Sequence, residues 1–224
     1  MAELQKQVEE LFLRLDHMGL RVERAVSEAV RAAQEGDLVA ADKVIVGDTA
    51  IDRMEVEIEQ ECIRLLALYQ PTAIDLRTLF TIIKANNDLE RISDLAVGIS
   101  RRIRDILDEE IIMDVYPGYS ELAELTCQTV GKTVRMLGAS DAQAAREVIE
   151  TDRRIDSAYK EFVRSVIDRE RQRADGVETA VICMLLARAL ERIGDLCTNI
   201  AEDIIFLRTG EIVRHAAAFH SPKA

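Results

Sequence analysis

Apolar residues recur along this chain in alternating steps of three and four. The pattern is clearest at Ile82, Ala85, Leu89, Ile92, Ala96, Ile99, Ile103 and Ile106. It returns at Leu186, Leu190, Ile193, Cys197, Ile200, Ile204 and Leu207. This spacing keeps one stripe on one face of an α-helix, and such seams pack into coiled-coil-like bundles. Read the same way, the chain predicts six helices: 2–35, Asp37 to Tyr69, Ala73 to Leu107, Ser120 to Gly138, Ser140 to Arg173, and Val177 to Leu207. Gly36 ends the first, and Asp37 caps the second. Pro71 separates the second from the third, where Thr72 and Asp75 have the spacing of a capping box. Val115-Tyr116-Pro117-Gly118 reads as a linker, and Asp175-Gly176 as a turn. No strand is predicted, because the short β-branched runs all sit inside helical patterns, so the fold class is all-α.

The two halves resemble each other. At a shift of 104 residues Asp37 meets Asp141, Ala40 meets Ala144, Val44 meets Val148 and Ile51 meets Ile155. Near the third and sixth helices the shift becomes 101, where Leu89-Glu90-Arg91-Ile92 meets Leu190-Glu191-Arg192-Ile193. The implied architecture is an internal duplication of two pseudo-symmetric three-helix bundles. The first repeat spans 1–115, the second 116–209, and a C-terminal tail 210–224.

A duplicated core explains the matched apolar residues but not the matched acids. Asp48 and Asp52 meet Asp152 and Asp156, and Glu90 and Asp94 meet Glu191 and Asp195. Acids four apart on a helix differ by ~40° in azimuth and ~6 Å in rise, so each pair projects side by side. Glu90 and Asp94 point ~130–170° away from their seam, onto a flank outside the core. If helices two and three are neighbours, four carboxylates face one point. Like charges at this spacing oppose helix formation by roughly 0.2–0.5 kcal/mol per pair. Four repetitions in one chain suggest a hard cation held by oxygen ligands. The plain alternative is a solvated acidic face neutralised by Arg91, Arg188 and Arg192 as weak surface pairs. Asn199 and Glu202 continue the row on helix six, as further ligands or as polar contacts. Their first-half partners are Gly98 and Arg101, so the two sites are unequal and the second is the richer in this reading.

Composition narrows the functions. The 224 residues are 48% hydrophobic with 4% aromatic and no Trp, which predicts an aliphatic core. A net charge of −12 argues against nucleic-acid binding and against broad contact with anionic lipid. There is no run long enough to span a membrane and no signal-peptide core, which places the protein in the cytoplasm. Cys62, Cys127, Cys183 and Cys197 form no CxxC pair and read as buried free thiols. His17, His215 and His220 lie outside every acidic motif, and no nucleophile–base constellation or phosphate loop is present. The chain therefore reads as non-enzymatic, with no catalytic residues. Two rivals remain: a metal-dependent phosphohydrolase built on the carboxylates, and a purely structural helical adaptor.

Two longer motifs carry a family resemblance. Gln70-Pro71-Thr72-Ala73-Ile74-Asp75-Leu76-Arg77 followed by Leu89-Glu90-Arg91-Ile92-Ser93-Asp94 resembles the first signature of the PhoU family. Glu191-Arg192-Ile193-Gly194-Asp195 followed by Asn199-Ile200-Ala201-Glu202 resembles the second. The likeness runs from about Val22 to Gly210. It implies metal ions on the carboxylate clusters, with iron first and zinc, manganese, magnesium or calcium as alternatives. It implies a repressor of phosphate uptake. The implied partners are the ATPase subunit of the Pst ABC transporter, the phosphate sensor kinase, and a second copy in a homodimer. Carried over by position, the metal ligands are Glu90, Asp94, Glu191 and Asp195, joined by Asp48, Asp52, Asp152 and Asp156.

Overall fold

Gly36, at φ 69°, breaks the first helix, and the Asp37 side chain accepts from the Ala40 N–H at 3.0 Å to start the second. The computed structural model describes residues 2–106, 116–171 and 177–213. Its elements are α1 (Ala2–Glu35), α2 (Leu38–Tyr69), α3 (Ala73–Ile106), α4 (Tyr119–Ala139), α5 (Ala142–Glu170) and α6 (Val177–Thr209). Among the described residues there is no strand. Asp141 caps α5 as Asp37 caps α2, accepting from the N–H groups of Gln143 at 2.8 Å and Ala144 at 3.2 Å. The expected ends of helix three at Leu107 and helix five at Arg173, the Asp175-Gly176 turn, and most of the 210–224 tail lie outside the described residues.

The α2–α3 turn differs from expectation. Thr72 closes no capping box; Gln70 and Ala73 take left-handed conformations at φ 45° and 50°, and the Gln70 N–H closes α2 on the Leu66 carbonyl at 3.1 Å. Pro71 has no N–H to give, so the turn is made by backbone rather than by a side chain.

Within each half the three helices pack on one another, α1–α2–α3 and α4–α5–α6. The halves join through α3 against α6 and α1 against α4. One continuous core runs through both, from Leu15, Met18 and Ile58 through Leu89 and Ile92 to Leu190, Ile193 and Ile200. Burying each such side chain stabilises the fold by roughly 1.5–3 kcal/mol. Lys84 of α3 and Asp203 of α6 form an ion pair across this junction, with the carboxylate side chain only 4% exposed.

The linker before α4 is more than a linker. Tyr116 and Tyr119 are buried and meet Phe162 at centroid distances of 6.5 and 5.8 Å. Tyr116 Oη donates to Glu170 at 2.8 Å. Gly118, at φ 96°, supplies the left-handed turn that lets both rings point inward. The core is aliphatic except at this aromatic knot, which ties the start of α4 to α5.

Candidate metal centre

The core stripes set the rotation of each helix and so the direction of its acids. Ile51 and Ile58 turn into the α2 core, which leaves Asp48, Asp52 and Glu55 along the flank facing α3. Leu89, Ile92 and Ala96 do the same on α3 and bring Glu90 and Asp94 to that flank. Asp48 is half-buried and accepts a 2.7 Å hydrogen bond from Ser93 Oγ. Partial burial pushes the Glu90 carboxyl up to about 7, helped by the charges of Asp94, Glu55, Asp52 and Asp48. Burial also raises Asp48; the Ser93 bond opposes this, Asp52 and Asp94 add to it, and Arg101 offsets part. Glu90 and Asp48 feel the acids of the neighbouring helix because α2 and α3 are packed side by side.

The second half repeats the arrangement on α5 and α6. Burial, then Asp195, Asp156 and Glu202, push Asp152 up to about 6. Glu191 is 8% exposed; Arg188 donates to its Oε1, while its Oε2 is buried with no hydrogen-bond partner. Burial and Asp195 raise Glu191 above the usual carboxylate range, against the pull of Arg188. Asp195 is raised by burial, with Arg188 opposing. Asp156 pairs with Lys160 at 3.5 Å. Asn199 lines a cleft of about 420 Å³ between α3 and α6 together with Asp195 of this cluster and with Arg91, Arg192 and Thr198. Glu202 reaches Asp152 electrostatically and also borders a small pocket with Phe80, Lys84 and Phe206.

The structure thus brings the eight predicted carboxylates into two groups of four. It also adds residues that repeat matching passes over. Glu55 joins the first group, but its counterpart at the 104-residue shift is Tyr159, over whose ring the Arg188 guanidinium lies at 5.9 Å. The signal for Glu55 was its place seven residues after Asp48, on the same stripe. With Glu55 in the first group and Glu202 coupled to the second, each holds five acids, and an arginine offsets part of the charge in each, Arg101 in the first and Arg188 in the second.

By chemistry these groups suit a hard cation: every donor is oxygen, the carboxylates crowd one another, and Glu191 Oε2 is an orphaned acceptor. As placed, no three His, Cys, Asp or Glu side chains among the described residues form a ready cage. Asp52, Asp94 and Asp195 are the exposed members of the two groups. Among the described residues no histidine lies with either group. His17 lines a separate cleft against α2, His215 and His220 lie outside the described residues, and all four cysteines are free thiols. Cys62, Cys183 and Cys197 are buried and Cys127 half-buried; burial pushes the first three thiols up to about 12 and Cys127 to about 11.

The family follows from comparison. A model of the PhoU domain matches residues 15–103 and again 119–204, one copy in each half. The phosphate-specific transport system accessory protein PhoU of Serratia marcescens is 32% identical over 88% of this chain and 81% of its own length. The PhoU homolog of Aquifex aeolicus is 35% identical over 94% of this chain and 95% of its own. The crystal structure of PhoU from Pseudomonas aeruginosa superposes with a TM-score of 0.87 at 33% identity, covering 92% of this chain and 99% of that one. Six helices in two matched halves, acids repeated in register at the α2–α3 and α5–α6 interfaces, and these likenesses lead to one conclusion: the chain belongs to the PhoU family.

Proposed function

We propose that this protein is a cytoplasmic, metal-binding, non-enzymatic regulator that represses phosphate uptake through protein–protein contacts. The observation that carries the metal reading is the crowding at the two acidic flanks. Carboxylates there are held above their usual pKa range by burial and by one another, a cost that a bound cation relieves. The first site would use Asp48, Asp52, Glu90 and Asp94, and the second Asp152, Asp156, Glu191 and Asp195. When bound, the ion supplies charge compensation and open positions for an anionic oxygen. The protein's own residues set the pose of α2 on α3 and of α5 on α6.

The relatives' names support the regulatory half of the reading, since they are accessory proteins of a phosphate-specific transport system. No described helix is long and apolar enough to cross a membrane, which suits a partner that docks on a transporter from outside the bilayer. The partners in this reading are the transporter's ATPase subunit and the phosphate sensor kinase, with the protein acting as a homodimer.

Metal analysis of protein purified without chelator tests the first half of the proposal. Wild type should carry iron or another divalent ion, and Glu191→Ala with Asp195→Ala should lose the share held by the second site. Unchanged metal content in that variant refutes the assignment. Co-purification with the transporter ATPase tests the second half, and light scattering tests the dimer.

One observation favours a second reading. Arg91 and Arg192 face the same cleft as Asp195, so phosphate-binding donors stand beside the second acidic group. Hydrolysis of a phosphomonoester with added manganese, lost on Asp195→Ala, would make the protein a metal-dependent phosphohydrolase.

A further inference from the structure

Away from the acidic flanks, α1 and α2 enclose a cleft of about 300 Å³ whose charge runs against that of the molecule. Arg21 and Arg24 of α1 and Lys43 of α2 line it, in a chain of net charge −12. All three are exposed, and among the described residues none is held in an ion pair. The one acid in the lining, Glu28, is engaged by Arg31 at 2.6 Å. His17, Arg21, Arg24 and Glu28 fall at steps of four, three and four, so one stripe of α1 presents them together. Beneath the charges lies an apolar floor of Val44 and Ile51, 5% and 3% exposed, with Leu20 at the side.

Gly47 is the second observation. It sits in the interior of α2, where glycine costs roughly 1 kcal/mol relative to alanine. A Cβ there would meet nothing within 4 Å, so close packing does not require the glycine. Its effect is to leave the cleft wall open.

The matching positions on α5 do not repeat the chemistry of α2. The core positions match, Val44 with Val148 and Ile51 with Ile155, yet Lys43 becomes Glu147 and Gly47 becomes the buried Thr151. The basic cleft is therefore not a by-product of packing two repeats.

We propose that the α1–α2 cleft binds an organic phosphate: a small molecule that carries a phosphate or diphosphate on an apolar body. Charge-assisted hydrogen bonds from Arg21, Arg24 and Lys43 would hold the anion, and the Val44 and Ile51 floor would hold the body. Inorganic phosphate would use the rim and leave the floor wet. The volume is at the lower end of small-molecule sites.

The test uses the full chain in excess EDTA, which keeps metal on the carboxylate clusters from contributing. Binding of a fluorescent ADP, and its displacement by ADP, pyrophosphate and adenosine, is read by anisotropy. ADP should displace best, pyrophosphate more weakly, and adenosine hardly at all. Arg24→Ala with Lys43→Glu should weaken ADP by about tenfold or more, the scale of one lost charge-assisted contact. Gly47→Leu, which fills the cleft, should weaken ADP more than pyrophosphate; both variants replace exposed residues, and their circular dichroism should match wild type. Absence of ADP binding at millimolar concentration overturns the proposal. So does unchanged affinity in Arg24→Ala with Lys43→Glu, or pyrophosphate binding as tightly as ADP.

Discussion

Ser93 Oγ donates a 2.7 Å hydrogen bond to Asp48 across the α2–α3 interface, and the residue in Ser93's place in the second half is Gly194, beside Asp152. One carboxylate has a neutral donor that eases its charge. The other has a bare backbone, and burial with neighbouring acids pushes it up to about 6. The two halves thus differ at their most closely matched point.

Ser93→Ala should remove that donor and leave a half-buried Asp48 less well satisfied. Loss of one such bond costs about 1–2 kcal/mol, and chemical denaturation of the apo protein measures it. The reciprocal change, Gly194→Ser, does not transplant the bond. A Cβ at Gly194 would lie 3.0 Å from Ile155 Cδ1 and 3.2 Å from Asp152 Oδ1, so these two side chains must give by a few tenths of an ångström. A destabilisation of roughly 1–3 kcal/mol is expected from such overpacking.

The raised carboxyl of Glu90 predicts a pH dependence in the metal-free protein. Its value lies near 7 in the folded state, against an ordinary 4.5. Between these values the folded chain holds a proton that the unfolded chain has released. Stability from this group is therefore full at pH 4.5 and below, and is lost as pH rises through 7. Glu90→Gln should flatten that decline and raise apo stability at pH 8 by about 1 kcal/mol, a figure discounted for solvent screening. Thermal melts from pH 5 to 8 in EDTA read both effects.

Metal binding should reverse the sign. An ion bound by the folded state alone stabilises it by ~2.7 kcal/mol at a hundredfold excess over Kd. Wild type should melt at higher temperature with metal than with chelator. Glu90→Ala with Asp94→Ala should lose part of that rise, and combination with Glu191→Ala and Asp195→Ala should abolish it. Titration calorimetry of the two paired variants gives the stoichiometry of each half.

Lys84 and Asp203 test how the halves are joined. Lys84→Met takes the ammonium from a carboxylate that is 4% exposed, on the far side of the α3–α6 junction. Breaking a buried pair from one side costs about 3–5 kcal/mol. Replacing both partners with apolar residues of similar size should recover most of this, because the buried carboxylate is removed along with the ammonium. Unfolding curves of the two variants separate the cases.

The helices were legible because their apolar periodicity is long and uninterrupted; the ends of α1 and α2, with Asp37 as cap, follow from local chemistry alone. Tyr116 and Tyr119 were not legible. Next to Pro117 and Gly118 they look like linker, and only Phe162, some forty positions away, gives their rings a place to go. Glu55 was passed over because its counterpart is a tyrosine, so the duplication that picked out the other acids hid this one.

Periodicity by itself determined which residues form helices, which stripe of each is apolar, and that Asp48, Asp52, Glu90, Asp94 and their four counterparts lie off that stripe. These are properties of a single helix, set by its own turn of about 3.6 residues. Tertiary structure decided which flanks meet. Only the packing of α2 on α3 and α5 on α6 crowds the acids, half-buries Asp48 and Asp152, sets Ser93 against one and Gly194 against the other, and joins Lys84 to Asp203. Burial and charge coupling are relations between helices, and they arise where the helices pack.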